Sequence, residues 1–504
     1  MNTSIVRYIV GMALRIEAAL MLFPCLIAII YHETEGFAFL IGAAICIAVG
    51  FFLSARKPKN TVFYLKEGCA ATALSWIFLS VFGAIPYVIN GDIPNYVNAV
   101  FETVSGLTTT GASILTDIES LSHCSLLWRS LTNWIGGMGV LVFLLMILPM
   151  SGGSYMNLMR AESPGPSVGK LVPKLGQTAR ILYKIYIGLT VAEFVFLLIG
   201  RMPVFDALNF SLATAGTGGF AVKNDSMAGY STYLKWVVTA FMIMFGVNFN
   251  AYYFIIYKKF KKAFKLEEVR CYFIIMIAAM AAIVINTASL AGNLADTVTD
   301  AAFQVASLMS SSGFATADFD LWPATSRTIL VIIMFIGACA GSTGGGIKVS
   351  RVMIMVKSVI KELSTYIHPK SVRKVHMDGK PVEHEVVRSV HAFFISFMVV
   401  FAIAILIISF DGKDLVTNFT AVIATFNNIG PGLSVVGPTG NYESFSVLSK
   451  LVLMFLMLAG RLELFPMLVL LHPMLWKDTF TQKRAALNAA AQKNRTGRTS
   501  KNNS

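Results

Sequence analysis

Four short peptides interrupt the long apolar runs of this chain, and each combines hydroxyl or amide side chains with glycine. They read Thr108-Thr109-Thr110-Gly111-Ala112, Gly216-Thr217-Gly218-Gly219-Phe220, Ser310-Ser311-Ser312-Gly313-Phe314 and Asn427-Asn428-Ile429-Gly430-Pro431. We call Gly111, Gly219, Gly313 and Gly430 the turn glycines. The peptides share a register, because the residue six positions before each turn glycine is small: Ser105, Ala213, Ser307 and Ala424. One pattern at four places predicts four copies of one structural unit.

The composition around these peptides is that of a membrane protein. Of the 504 residues, 56% are hydrophobic and 13% are charged, whereas a soluble domain carries about 25% charged residues. Charge at the centre of a bilayer costs roughly 2.5–3.5 kcal/mol per residue on insertion scales. The apolar runs are continuous rather than alternating, which disfavours a β-barrel. We therefore expect an all-α polytopic membrane protein.

The lengths of the apolar runs predict about ten transmembrane helices, since about 20 residues cross a ~30 Å hydrocarbon core. The predicted spans are 9–31, 37–54, 68–90, 125–149, 180–200, 233–257, 270–292, 327–360 (interrupted), 390–410 and 447–475. Four further apolar stretches are too short to cross and suit half-helices that return to the same side. They are 96–110, 204–217, 298–312 and 415–428.

Together these runs predict two leading helices followed by four pseudo-symmetric helix–pore loop–helix repeats around a central pore. The predicted division is 1–60 for the two extra N-terminal transmembrane helices, then 61–155, 156–262, 263–365 and 366–480 for repeats 1 to 4, with a disordered cytoplasmic tail at 481–504. Repeat 3 also carries a glycine-rich intramembrane loop.

The net charge of +14 gathers in loops at the ends of the spans, in segments 55–66, 150–179, 258–269 and 361–389 and in the tail. Such a distribution is typical of cytoplasmic loops, so we expect both termini inside and all four glycine peptides open to the outside. Nucleic-acid binding explains these basic runs less well, because they adjoin hydrophobic spans. The outer connections carry mostly acidic residues, which would concentrate cations there. The six cysteines show no disulfide or zinc spacing.

Glycine turns of this kind can expose backbone carbonyls, and a ring of carbonyls can replace the water shell of a monovalent cation. Glycine permits the unusual backbone dihedral angles that this requires. The alternative is that small residues here only allow helices to pack closely. We predict an ion-binding filter formed by Thr109, Thr110, Gly111, Ala112, Thr217, Gly218, Gly219, Phe220, Ser311, Ser312, Gly313, Phe314, Asn428, Ile429, Gly430 and Pro431.

A second unusual segment lies within the apolar run 327–360. Its candidate gate residues are Gly341, Ser342, Thr343, Gly344, Gly345, Gly346 and Lys348. Glycine costs about 1 kcal/mol relative to alanine in a helix, and irregular backbone at membrane depth needs protein or water around it. We expect a movable constriction beneath the filter, with a passive packing kink as the alternative. The spacing of Lys348 does not match a nucleotide-binding P-loop.

Arg461 lies near the middle of the last span. An intramembrane arginine normally faces the protein interior or water and has a role. It can form an electrostatic barrier in a cation pathway and so belongs with the gate residues. The alternative is a structural ion pair with Glu463 or Glu193.

These stretches resemble the Trk/Ktr/HKT superfamily of cation transporters, and within it the TrkH type. The resemblance covers nearly the whole chain. It is carried by residues 105–111, 133–139, 217–220, 340–348 and 427–432, and by the two additional leading helices.

The resemblance implies a K⁺ pathway within each protomer, with K⁺ as the transported ion and no organic cofactor. It implies K⁺ at Thr110, Gly111, Gly219, Ser312, Gly313, Ile429 and Gly430. It also implies a homodimer in the bacterial inner membrane, a cytoplasmic TrkA-type nucleotide-binding ring, and gate roles for Gly341 to Gly346 and Arg461. Family members with Ser in place of the first turn glycine favour Na⁺, and Gly111 therefore supports K⁺; Ala112 instead of an aromatic residue leaves ion discrimination open.

Three other functions compete with K⁺ uptake. The first is a Na⁺-conducting or Na⁺/H⁺-coupled transporter of the same architecture; no intramembrane carboxylate pair suggests a proton relay, which favours channel-like conduction. The second is an inverted-repeat solute carrier, which the common orientation of the four short segments opposes. The third is a membrane enzyme, and the sequence has no convergent His, Cys or paired-carboxylate constellation to support it.

Overall fold

The computed structural model describes residues 1–58, 64–139, 175–288, 293–370 and 373–476. The predicted tail 481–504 and most of the predicted inner segment 150–179 lie outside these residues. Helices dominate the described part, and the fold class predicted from the sequence is confirmed. The helices are Thr3–Leu20, Leu22–Tyr31, Gly36–Ser54, Leu65–Gly83, Ile85–Ile89, Tyr96–Leu107, His123–Met138, Leu175–Ile199, Val204–Gly216, Thr232–Gly246, Phe249–Ile256, Phe260–Phe264, Glu267–Thr287, Leu294–Met309, Ala324–Ile336, Val349–Ile367, His384–Ile408, Leu415–Phe426, Val447–Arg461 and Phe465–Leu471.

Short elements complete the described chain. Three single-turn 3₁₀ helices occupy Phe319–Leu321, Ser409–Asp411 and Ser434–Val436. The strands His376–Met377 and Lys380–Pro381 pair antiparallel as a small hairpin, with His376 opposite Pro381.

Six helical segments of the described chain are long and apolar enough to cross a membrane, and a bent pair makes a seventh. The six are Thr3–Tyr31, Gly36–Ser54, Leu65–Ile89, Arg180–Ile199, Glu267–Thr287 and His384–Asp411, and the pair is Thr232–Gly246 with Phe249–Ile256, bent by 95°. Their outward faces carry large apolar side chains such as Phe52, Ile285 and Leu406. The surface is therefore suited to lipid.

The other three predicted spans contain shorter or broken helices. Helix His123–Met138 covers part of 125–149, and residues 140–149 lie outside the described chain. The run 327–360 consists of Ala324–Ile336 and Val349–Ile367, separated by the glycine-rich stretch. The last run, expected to be one helix over 447–475, breaks after Arg461, where Glu463 and Leu464 have positive φ angles of 54° and 72°.

Four short helices occupy the stretches that were predicted to be too short to cross. They are Tyr96–Leu107, Val204–Gly216, Leu294–Met309 and Leu415–Phe426. Asn95, Asn293 and Asp414 cap the first, third and fourth, each side chain accepting a hydrogen bond from a first-turn amide. Hydrogen bonds from the Thr417 side chain and amide hold the pKa of Asp414 below its ordinary value, which keeps a negative charge at the positive end of that helix.

The leading helices give a test of the fold that is independent of the glycine turns. A β-carbon on Gly11 would lie 2.7 Å from the carbonyl oxygen of Gly50 and 2.9 Å from the amide nitrogen of Ser54. We expect Gly11→Ala to force helices Thr3–Leu20 and Gly36–Ser54 apart and to lower the free energy of unfolding by roughly 1–3 kcal/mol. The measurement is the thermal unfolding temperature of the purified protein.

Gly188→Ala is the matched control, because a β-carbon at that helical position would meet nothing within 4 Å. If Gly11→Ala and Gly188→Ala unfold at the same temperature as the unaltered protein, the close contact between these helices does not stabilise the fold.

Candidate functional site

The four short helices end in turns of the same hydrogen-bonded form. We call residues 108–112, 216–220, 310–314 and 427–431 turns 1 to 4. In each turn the amide just before the turn glycine donates to the carbonyl of the small residue that fixed the sequence register. These bonds are Thr110 N to Ser105 O, Gly218 N to Ala213 O, Ser312 N to Ser307 O and Ile429 N to Ala424 O, at 2.8, 3.0, 2.8 and 2.8 Å.

A second hydrogen bond in each turn completes a Schellman motif, the arrangement that ends a helix with a left-handed residue. Thr109, Thr217, Ser311 and Asn428 occupy the left-handed position, with φ of 55°, 55°, 59° and 54°. Left-handed residues other than glycine are uncommon. Strained backbone persists only where the surroundings hold it in place, and it clusters at functional sites.

The turn glycines bring the four turns into a closed ring. A β-carbon placed on any of them would collide with the carbonyl oxygen just before the glycine of the next turn. The distances are 2.3 Å from Gly111 to Gly218 O, 2.1 Å from Gly219 to Ser312 O, 2.1 Å from Gly313 to Ile429 O and 2.6 Å from Gly430 to Thr110 O. The turns therefore contact one another in the order 1–2–3–4–1, and only glycine fits at these contacts.

The ring opens into a single cavity of about 150 Å³, which all four turn glycines line. Ala112, Phe220 and Pro431 line it as well. Phe314 does not belong to that lining; its side chain is buried and packs against Phe210, with ring centroids 5.4 Å apart. Gly218, which the resemblance did not place among the K⁺ positions, contributes the second-turn carbonyl at the level of Thr110, Ser312 and Ile429.

The hydroxyl and amide side chains of the turns brace the backbone. Thr108 and Thr110 hydroxyls lie 2.8 Å apart, and Ser310 and Ser312 hydroxyls have the same separation. Asn428 Nδ2 donates across to turn 1, at 3.0 Å from Thr110 Oγ1, and to Met457 O at 2.9 Å. Turn 4 is therefore tied to both turn 1 and the last helix.

A buried ion pair behind the ring, which the sequence reasoning missed, joins turns 1 and 2. Arg129 Nε and Nη2 each lie 2.9 Å from Glu102 Oε1, and both side chains are almost completely buried. Glu102 also accepts from Ser113 Oγ and Ile114 N, just beyond turn 1. Arg129 donates to Ala221 O at 3.1 Å, just beyond turn 2. The sequence signal that could have indicated this pair is an acid and an arginine that each lie within an apolar stretch.

Two further polar residues support the ring and were also missed. With its amide oriented to donate to Gly106 O at 2.8 Å, Asn133 accepts from Phe220 N at 3.3 Å. Tyr442 Oη donates to Gly430 O at 2.7 Å. Each side chain holds backbone of the turns or of the helix before them.

The glycine-rich loop, residues 341–348, passes directly against turns 3 and 4. A β-carbon on Gly344 would lie 2.5 Å from Ser310 O, and one on Gly345 would lie 2.3 Å from Asn427 O. The amide of Gly345 donates to Ser311 Oγ at 2.5 Å. The amino group of Lys348 donates to Gly344 O, within the loop itself.

Glu268 anchors both ends of this loop, and it was not anticipated from the sequence. Its Oε1 accepts from Ala340 N at 2.6 Å and from Ser350 N at 3.1 Å, and its Oε2 accepts from Asn248 Nδ2 at 3.2 Å. The Gly341 carbonyl accepts from Phe249 N at 3.0 Å. The loop is therefore held at its edges, while its glycines lie under the turns.

Arg461 connects the loop to the ring. Its guanidinium donates to Thr343 O at 2.7 Å, to Gly137 O at 2.6 Å and to Gly136 O, and it lies 3.3 Å from Thr109 Oγ1. The guanidinium of Arg461 thus contacts helix His123–Met138, turn 1 and the glycine-rich loop.

The two acids named in the ion-pair alternative for Arg461, Glu463 and Glu193, differ in their surroundings. Glu463 pairs with Arg351 instead, across to helix Val349–Ile367. The carboxylate oxygens of Glu193 are buried and make no hydrogen bond within the described residues. The carbonyls of Thr343, Gly136 and Gly137 accept hydrogen bonds from Arg461.

Negative potential reaches the cavity from two sources. The four short helices all end at the turns, and a helix C-terminus carries a partial negative charge equivalent to about half an electron. Asn224 lines the cavity and binds two acids: its Nδ2 donates to Asp117 Oδ1 at 2.8 Å and its backbone amide to Glu119 Oε1 at 3.2 Å. The arrangement suits a cation that binds oxygen atoms.

Comparison with known proteins agrees with this architecture. The family model described as TrkH, a cation transport protein, matches residues 35–483. The Trk system potassium uptake protein TrkH of Salmonella typhimurium (strain LT2) is 34% identical over 488 residues, covering 95% of this chain and 100% of that protein. The Trk system potassium uptake protein TrkG of Escherichia coli (strain K12) is 32% identical over 496 residues, with the same coverage of both chains.

The fold is also that of a solved relative. The crystal structure of the potassium transporter TrkH from Vibrio parahaemolyticus superposes with a TM-score of 0.84 at 30% identity, covering 94% of this chain and 100% of that one. The resemblance drawn from the glycine peptides is thereby confirmed: the chain belongs to the TrkH family of cation transport proteins.

Proposed function

We propose that this chain takes up potassium ions across the cell membrane, with the ring of four glycine turns as its selectivity filter. The observation that carries the proposal is the closed series of contacts from each turn glycine to the next turn's carbonyl. K⁺ sheds its water and is held by main-chain oxygens, including those of Thr110, Gly218, Ser312 and Ile429. The names of the relatives support potassium as the ion.

The glycine-rich loop is the gate in this proposal. It lies against turns 3 and 4, and its backbone is irregular without being loose, because Glu268 holds its ends. Moving Gly344 and Gly345 away from Ser310 O and Asn427 O would open the passage below the ring. Arg461 adds a positive charge at the same level and bonds to Thr343 of the loop.

Direction and partners follow from the same proposal. The cavity side is outside, both termini are inside, and the inward-negative potential supplies about 2.3 kcal/mol per charge per 100 mV. The chain works as a homodimer in the bacterial inner membrane, with a cytoplasmic TrkA-type ring that binds nucleotides and sets the position of the gate. The relatives' membership of a Trk system supports such a complex.

Growth rescue tests the proposed uptake. We expect the chain to restore growth of a K⁺-uptake-deficient bacterium at low external K⁺, more strongly with its partner subunit than alone. Measured influx of K⁺ should exceed that of Na⁺ in cells expressing the chain at equal external concentrations. Equal influx of both ions would count against a potassium filter, and so would influx of Na⁺ alone.

Substitution at Gly313 tests the filter. A β-carbon there would lie 2.1 Å from Ile429 O, and the glycine has a φ of +79°. We expect Gly313→Ser to displace turn 4 and to lower the K⁺/Na⁺ permeability ratio by roughly tenfold, a loss of about 1.4 kcal/mol in discrimination. The measurement is the ratio of ion fluxes into proteoliposomes.

Gly412→Ser is the control, since Gly412 has a φ of +69° but a β-carbon would meet nothing within 4 Å. It should leave the permeability ratio unchanged. A folded Gly313→Ser protein with an unaltered ratio removes Gly313 from the filter.

Two substitutions at Arg461 separate its charge from its hydrogen bonds. We expect Arg461→Ala to raise K⁺ flux without the partner by about tenfold, because both the barrier and the bonds to Thr343, Gly136 and Gly137 are lost. Arg461→Lys keeps the charge but cannot reproduce the guanidinium fork. Low flux in Arg461→Lys assigns the barrier to charge, and high flux assigns it to the hydrogen bonds. Wild-type flux in both folded variants would make Arg461 irrelevant to gating.

A further inference from the structure

A second cavity, of about 550 Å³, lies far from the glycine turns. Its walls are the second half of helix Val349–Ile367, the strand hairpin and the first two turns of helix His384–Ile408. The helix Val349–Ile367 starts directly after the glycine-rich loop, and Lys361 on the cavity wall is about 18 Å further along it at 1.5 Å per residue. This part of the cavity wall is therefore well separated from the glycine-rich loop along the helix.

The lining of this cavity is strongly basic. Lys361, Arg373, Lys374 and Arg388 line it, against two acids, Glu362 and Glu383. Lys361 is 3.7 Å from Glu362, whose side chain is exposed, so this pair is weak. In the part of the chain that the structure describes, Arg373, Lys374 and Arg388 have no ion-pair partner. His384 and His391 line the cavity as well.

Apolar groups form the rest of the lining and continue beyond it. Val375, Val382 and Val387 line the cavity together with the cations. Further along the face of helix His384–Ile408 that carries His391, the side chains of Ile395 and Met398 are exposed by 63% and 39%. A soluble anion would use the charges alone, whereas a lipid phosphate has hydrocarbon chains that would cover these neighbouring side chains.

We propose that this cavity binds the phosphate of an anionic phospholipid, whose acyl chains lie along the exposed apolar side of helix His384–Ile408. Basic pockets between membrane helices at the cytoplasmic surface bind such head groups. The arginines supply planar donors that match phosphate oxygens. Only the assignment of the cavity to the cytoplasmic leaflet rests on the proposed function.

Native mass spectrometry of the full-length protein tests the proposal. The protein is released from nanodiscs that contain equal amounts of phosphatidylglycerol and phosphatidylcholine, and retained lipid is counted. We expect phosphatidylglycerol to be retained in preference, and Lys374→Gln with Arg388→Gln to reduce its retention roughly thirtyfold, since each basic residue near a membrane surface contributes about 1 kcal/mol and tenfold corresponds to about 1.4 kcal/mol. Both side chains are exposed, so the fold should persist, and an unchanged thermal unfolding temperature verifies this.

Lys258→Gln with Lys262→Gln is the matched control, because it removes two exposed charges that do not line the cavity. It should retain phosphatidylglycerol normally. Equal loss in both double variants, equal retention in both, or displacement of the lipid by inorganic phosphate would overturn the proposal. So would binding of a partner protein that depends on Lys374 and Arg388 while lipid retention does not. Potassium-dependent growth, measured in parallel, keeps a failure of lipid binding distinct from a failure of the proposed uptake.

Discussion

The architecture depends on one steric constraint, which is that four α-carbons must lie against four carbonyl oxygens with no β-carbon between them. Each of Gly111, Gly219, Gly313 and Gly430 meets this requirement toward the next turn. Because the contacts close on themselves, no turn can shift alone without opening a gap at one neighbour and a clash at the other. The four turns therefore hold one another rigidly. The hydrogen bonds of the Schellman motifs fix each turn at the end of its short helix.

The polar groups around the ring divide into two kinds of support. Glu102 and Arg129 satisfy each other in the protein interior and use their remaining donors and acceptors to hold backbone beyond turns 1 and 2. Removing one partner of such a pair leaves an uncompensated buried charge, which is far more damaging than replacing both. Arg461 bonds mainly to carbonyls, which are weaker and exchangeable partners, and its contacts extend to the glycine-rich loop. The first arrangement suits permanent structure, and the second suits a part that moves.

Much of this could be predicted from the sequence because it is local. The short helices were visible as apolar stretches of insufficient length, and Ser105, Ala213, Ser307 and Ala424 were visible as a register because each supplies the same helix-ending carbonyl. Contacts between distant segments were not visible. Glu102 and Arg129 are 27 residues apart, and Glu268 reaches a loop 72 residues away. The break after Arg461 was also missed, since the run 447–475 is mostly apolar on both sides of it. Close packing of Gly460 on Phe426 O and the positive φ angles of Glu463 and Leu464 accompany the break.

The convergence of four helix C-termini on one cavity has a consequence for acidic surroundings. A ring of Asp or Glu side chains would lose its charge as the pH falls below about 4. Peptide dipoles have no proton to gain, so the partial charges at the ends of helices Tyr96–Leu107, Val204–Gly216, Leu294–Met309 and Leu415–Phe426 are the same at every pH at which the protein stays folded. This contribution to the attraction for cations is therefore insensitive to acid.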